Sequence, residues 1–186
     1  MLHKLFWTVP LCLAACVTQR PYVAEKAVPE EQIFATVVPF YSWVLANRYV
    51  SMPTEKERSE LANFLTPELI QLLKDTGEME ERCAMATPKG EKGPIFEGAL
   101  FVGLYEGATE ASYGDPKTKD GVVTLQVTLL HYIDENQPKA SRYRMSAWSD
   151  KLELRQKDEK WLIHNIHFPH GNLRSTLQDY SCDRRY

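Results

Sequence analysis

The chain lacks a dominant charge: 22 Lys and Arg stand against 25 Asp and Glu over 186 residues, a formal net charge of −3. Without a basic surplus nothing is available to neutralise a run of phosphates, so nucleic acid is not an expected partner. No apolar run reaches the eighteen or so residues that a spanning helix needs, so no part of the polypeptide is expected to cross a bilayer. There is no Gly-x-Ser-x-Gly turn for a nucleophilic serine and no glycine-rich phosphate loop; glycines number only nine. Internal repeats and low-complexity runs are absent as well. Metal ligation needs three or four convergent donors, and His131, His164, His167 and His170 do not supply them: His164 and His167 fall on opposite faces of one expected strand. No motif points to an enzyme, a metal or a cofactor. What is present, 44% hydrophobic and 25% charged residues, is too apolar for a disordered chain. It suffices for one domain that buries roughly two-thirds of its unfolded surface.

The first fifteen residues place Lys4 before the apolar stretch Leu5 to Leu13 and end in Ala14-Ala15, the pattern of an export signal too short to cross a bilayer. Leu13-Ala14-Ala15-Cys16 resembles the lipobox of bacterial lipoproteins, which implies that Cys16 is acylated and becomes the first mature residue. Two or three acyl chains, at about 0.8 kcal/mol per buried methylene, anchor a protein firmly. Val17, rather than Asp, follows the cysteine, which by resemblance to the enteric sorting rule implies the outer membrane, with the domain facing the periplasm. Residues 16–30 read as a tether, 31–180 as one domain and 181–186 as a tail. Once Cys12 leaves with the signal and Cys16 carries lipid, Cys83 and Cys182 remain, in an oxidising compartment. They either form one bridge or stay apart as thiols, and the bridge is the favoured reading.

Along the domain, Ile33, Val37, Phe40, Tyr41, Val44, Leu45 and Tyr49 recur at helical spacing, with Pro39 expected to kink or start that helix. Thr54 with Glu57 opens a second short helix, and Thr66-Pro67-Glu68 opens a third, for which Gly77 is a candidate stop unless the pattern resumes through Met79 and Cys83. Residues 86–94 form a loop. Then the period changes to two. Val123, Leu125, Val127 and Leu129 make a half-buried strand, Asp134-Glu135-Asn136 a turn, and Tyr143, Met145 and Ala147 the return strand. Since Trp148, Asp150, Leu152 and Leu154 share the other parity, a bend or bulge is expected between 147 and 150. Asp158-Glu159-Lys160 turns into a last strand, Trp161 to Phe168, and Leu173 to Gln178 is a short helix or turn. Helices followed by a meander make an α+β domain. N-terminal helices packed on a curved antiparallel sheet resemble the cystatin-like or nuclear-transport-factor-like cone.

Phe40-Tyr41-Ser42-Trp43, Phe96 to Phe101 with Leu104 to Thr109, and Trp161-Leu162-Ile163 with Gly171-Asn172-Leu173-Arg174 resemble the domain-of-unknown-function 3828 family. These are exported bacterial proteins, many of them lipoproteins, and the likeness covers about residues 35 to 180. Ala99 stands where the family motif usually carries an acid. The resemblance implies localisation and fold, and no common activity.

The expected function is therefore that of a lipid-anchored binding or adaptor module for another envelope protein or a small apolar ligand. An inhibitor or immunity protein acting through loop 86–95 is one alternative. A pocket enzyme drawing on Glu106, Tyr105, His131, Tyr132, Asp150 and His164 is the other. Trp43, Tyr105, Glu106, Tyr132 and Trp148 are the candidate pocket or groove residues. An adaptor predicts an exposed apolar patch, an inhibitor a protruding rigid loop, and an enzyme a closed pocket with two convergent titratable groups.

Overall fold

Strict alternation places Val123, Leu125, Val127 and Leu129 on one buried face of a single strand, which is the spine of the molecule. The computed structural model describes residues 28–47, 51–91, 93, 95–96, 98–132 and 145–183. The leader, Cys16, most of the tether, the Asp134-Glu135-Asn136 turn and Tyr143 lie outside the described residues. The spine, β3 (Val122–Tyr132), pairs antiparallel with β4 (Met145–Lys157), which pairs with β5 (Lys160–Phe168), which in turn pairs with the short β6 (Gly171–Asn172). On its other side β3 holds β1 (Glu110–Tyr113) and β2 (Lys117–Lys119), two pieces of one edge strand interrupted at Gly114-Asp115-Pro116. Asp158 and Glu159, at φ 47° and 67°, make the tight turn between β4 and β5; Asp120 and Gly121, at 52° and 74°, do the same between β2 and β3. Both pairs have the positive φ values that match a two-residue loop to strand twist.

Four helices complete an α+β fold: α1 (Glu30–Ala46), α2 (Glu55–Leu61), α3 (Pro67–Ala86) and α4 (Leu173–Gln178). Their apolar faces meet the odd-numbered side chains of β3 and the even-numbered ones of β4 in one core, where Ile33, Val37, Phe40, Leu69 and Leu73 join Leu125, Leu152, Leu154 and Ile166. Buried polar contacts fix how the layers dock. Thr36 donates from Oγ1 to the Trp161 carbonyl at 2.6 Å, joining α1 to β5. Thr76 donates to the Leu177 carbonyl at 3.2 Å, joining α3 to α4. The segment between α2 and α3 adds a parallel bridge to β5, with Ile163 N donating to Phe64 O and Thr66 N to Ile163 O. Thr54 and Glu57 form a capping box on α2, and the Thr66 hydroxyl accepts from Leu69 N at the start of α3. A disulfide joins Cys83 near the end of α3 to Cys182 after α4, with Cα atoms 5.2 Å apart.

The structure decides several local points left by the sequence. Helix α1 runs through Pro39, which lies on its exposed side, where water can satisfy the carbonyl left without an amide partner. Helix α3 runs through Gly77; a Cβ there would sit 3.2 Å from the Met52 side chain, so this glycine admits a close neighbour and does not end the helix. The register of β3 against β4 is unbroken from Val122 to Tyr132, so no bulge lies at 147–150. Met145 and Ala147 are simply exposed, and the irregularity comes at Glu153/Leu154 against β5. The edge strand at 110–119 leaves no signal in the sequence, because its two pieces, of four and three residues, are too short to show alternation.

Candidate functional site

Two features of the sheet carry chemistry, one on each face. On the face without helices, Thr124, Gln126 and Thr128 of β3 alternate with the buried set and point away from the core. With Ser112 of β1, Ser149 and Lys151 of β4 and His167 of β5 they line an open trough of about 740 Å³. It reaches the broken edge strand at Gly114, Asp115 and Lys117. Among the described residues no other strand pairs with the outer side of β1 and β2, so this margin presents backbone donors and acceptors of its own. Polar and apolar surface are nearly balanced in the lining, with Tyr113, Leu125 and Phe168 supplying the apolar part beside the hydroxyl, amide and ammonium groups. Beside it, His167 Nε2 lies 3.4 Å from Glu153 Oε2, and Arg155 donates to the other Glu153 oxygen at 3.0 Å. The Arg155 and His167 partners hold the Glu153 carboxyl below its ordinary range although burial alone would raise it.

On the helix face sits a buried carboxyl. Asp150 occupies a core position of β4 opposite Val127 and is 1% exposed. Its Oδ2 accepts from Gly103 N at 2.9 Å, while Oδ1 has no hydrogen-bond partner. Burial raises its pKa to about 6, against the opposing pull of the Gly103 amide and the Trp148 indole N–H. That indole nitrogen is buried and faces the carboxylate, yet its geometry falls short of a hydrogen bond. Tyr41, fully buried on α1, also has an unpartnered hydroxyl. Burial, then the charge on Asp150, then Tyr113 push its pKa well above the ordinary tyrosine value. Over these groups lies the segment 98–107, closed on itself by Ala99 N to Tyr105 O at 3.0 Å and Gly107 N to Leu104 O at 3.1 Å. Gly98 and Gly107, with φ of 87° and 82°, bound it. Gly103 presses closest: a Cβ there would lie 2.7 Å from Asp150 Oδ1 and 2.8 Å from Pro169 Cδ.

The residues expected from sequence to form a pocket do not converge. Trp43 donates from Nε1 to Glu60 at 3.0 Å and meets Phe101 edge-on at 6.0 Å, on one flank of the 98–107 segment. Tyr105, 60% exposed, borders a separate cleft of about 270 Å³ with Phe168 and His170. Glu106 is exposed, and Tyr132 is half-buried at the end of β3, its N–H donating to Thr109 Oγ1 at 3.3 Å. Only Trp148 belongs to the buried polar group. Of the residues named for acid–base work, Asp150 alone is there; His164 sits at the β5 irregularity, with Nδ1 3.3 Å from Thr66 Oγ1. Sequence reading missed Tyr41, whose helical spacing reads as plain core, and Gly103, whose closeness to Asp150 depends on a contact 47 residues away. The exposed large apolar residues Val38, Met85, Ile95, Tyr105 and Met145 come from separate elements of the chain.

No family model, no curated protein and no solved structure matches this chain.

Proposed function

We propose that this chain is a lipoprotein of the bacterial outer membrane, anchored through lipid on Cys16 and facing the periplasm, whose domain binds another envelope protein. The leader pattern and the Leu13-Ala14-Ala15-Cys16 motif support the anchor, and kinship with the exported domain-of-unknown-function 3828 family is part of the same reading. Among the described residues no helix is long and apolar enough to cross a membrane. A disulfide suits an oxidising compartment.

The observation that carries the binding role is the 740 Å³ trough on the helix-free face of the sheet. Its open shape and its rows of hydroxyl, amide and ammonium groups suit an extended segment of a partner protein. Among the described residues no further strand pairs with the outer side of β2 and the adjoining part of β1, and that margin would offer backbone pairing to the same segment. A lipid tether raises the effective concentration of such a module toward membrane neighbours, so each contact need only be modest. The test is photocrosslinking in intact cells from a benzoylphenylalanine placed at Gln126 or Ser149, with Lys74 on the outer side of α3 as control. The expected result is one discrete protein adduct from the two trough positions and none from the control. Equal background from all three positions would refute it.

A further inference from the structure

We infer that the trough takes an acidic segment of its partner, whose carboxylates meet Lys117 and Lys151; this rests on the trough being a protein-binding surface. The chain as a whole is negative, with a formal net charge of −3, and the trough runs against that balance. Lys117 and Lys151 are exposed and line it, and among the described residues neither has an ion-pair partner. The neighbouring acids are mostly engaged. Arg155 donates to Glu153 at 3.0 Å, and His167 Nε2 lies 3.4 Å from its other oxygen. Of the acids in the lining, Asp150 turns its carboxyl to Gly103 on the other face, which leaves Asp115 at the broken edge.

Position separates Lys151 from ordinary surface charge. On β2 the two residues that share a face with Thr124 are both lysines, Lys117 and Lys119. Edge lysines discourage pairing with a like-charged edge, so a second copy of this chain is a poor occupant. Lys151 guards no edge, because it lies on β4, two strands in, with Gln126 opposite it on β3 and His167 opposite it on β5. Its ammonium therefore stands between an amide and an imidazole, both able to donate to a carboxylate. Lys117 pairs with Thr124 and Lys151 with Gln126, so two strand spacings and a two-residue offset separate their backbones, about 12 Å. An extended chain sets residues i and i+4 on one face about 13 Å apart, so carboxylates four residues apart reach both lysines together.

The test uses the full chain, isotopically labelled, in nonionic detergent, with a seven-residue threonine peptide that carries glutamate at its second and sixth positions. The same peptide with glutamine or with lysine at those positions is the comparison. The glutamate peptide should move the amide signals of Gln126, Ser149 and Lys151, bind roughly tenfold tighter than the glutamine peptide, and weaken as salt rises. Lys117→Gln and Lys151→Gln should each weaken it about two- to fivefold, the value of an exposed charge pair, with the fold unchanged. Lys74→Gln on α3 should have no effect. Equal binding of the glutamine peptide at the same signals overturns the acidic preference and leaves the trough standing as a protein-binding surface. Tighter binding of the lysine peptide, or no signal moved by any peptide, overturns the inference. So do signals moved by phosphatidylglycerol vesicles and not by the glutamate peptide, in favour of a lipid surface. Crosslinking from Gln126 and Ser149 decides separately whether a partner protein is there.

Discussion

Asp150 is the residue whose chemistry departs furthest from its surroundings. A carboxyl in a core position of β4 keeps its charge only against the cost of burial, and one amide bond from Gly103 does not offset that cost. Tyr41 is the titratable group that interacts with it from α1, and burial, the Asp150 charge and Tyr113 together keep that phenol neutral in the ordinary range. The folded pKa of about 6 lies above the unfolded value of 3.8, so the folded state holds the proton more tightly. The stability this provides is complete below pH 4 and is lost as pH rises through 6, an effect of roughly 2–3 kcal/mol. Asp150→Asn keeps an oxygen for the Gly103 amide and removes the charge. The expected outcome, by thermal unfolding at pH 4.5 and 7.5, is that the variant shows a smaller loss of stability with rising pH than the parent and melts higher at pH 7.5. Parallel pH profiles for the two chains would show that Asp150 is not the group responsible.

At the scale of elements, the 98–107 segment has structure because its glycines allow it, and steric contact requires two of them: a Cβ at Gly98 would meet the Tyr105 carbonyl at 2.7 Å, and one at Gly103 would meet Asp150 Oδ1 at 2.7 Å. Gly103→Ala forces the segment off Asp150 and Pro169 and should cost about 1–3 kcal/mol by denaturant unfolding. Gly114→Ala, where the added carbon meets the Gln126 carbonyl at 3.4 Å and its Cβ at 3.8 Å, both ordinary contacts, should leave stability nearly unchanged. Equal effects from the two substitutions would mean that general chain entropy, and not the close approach, governs position 103. The same contrast explains what the sequence could tell. Helices and strands announced themselves through local signals: the Thr54/Glu57 cap, Thr66-Pro67, and the alternation from Val123 to Leu129. Long-range contacts left no such trace. Pro39 and Gly77 look like breaks because their tolerance depends on solvent at one and on Met52 at the other. The edge strand hid because Gly114-Asp115-Pro116 splits it below the length at which alternation shows. The candidate site was the least legible part, since Tyr41, Gly103 and Asp150 come from a helix, a loop and a strand, and their meeting is tertiary.

Across the whole molecule, the Cys83–Cys182 bond spans 99 positions and encloses the entire sheet, so its effect falls mainly on the unfolded chain. In the chain-entropy model a loop of that size contributes about 4–5 kcal/mol. Its native environment is already held by other contacts: Thr76 bonds the Leu177 carbonyl, Phe96 stacks on Tyr180 with centroids 4.9 Å apart, and Glu80 accepts from Phe96 N. Complete reduction should therefore leave the fold in place and lower the Tm by about 10 °C, with Cys83→Ser/Cys182→Ser matching the reduced parent. Hydrogen exchange should show the loosening first in α4, which has only six residues and depends on its docking to α3, while the amides paired between β3 and β4 stay protected. If exchange instead rose uniformly across the sheet at low denaturant, the bond would be acting as a strut of the native core. The stability of the α+β domain would then depend on the oxidised tail, and not on the packing of helices against β3, β4 and β5.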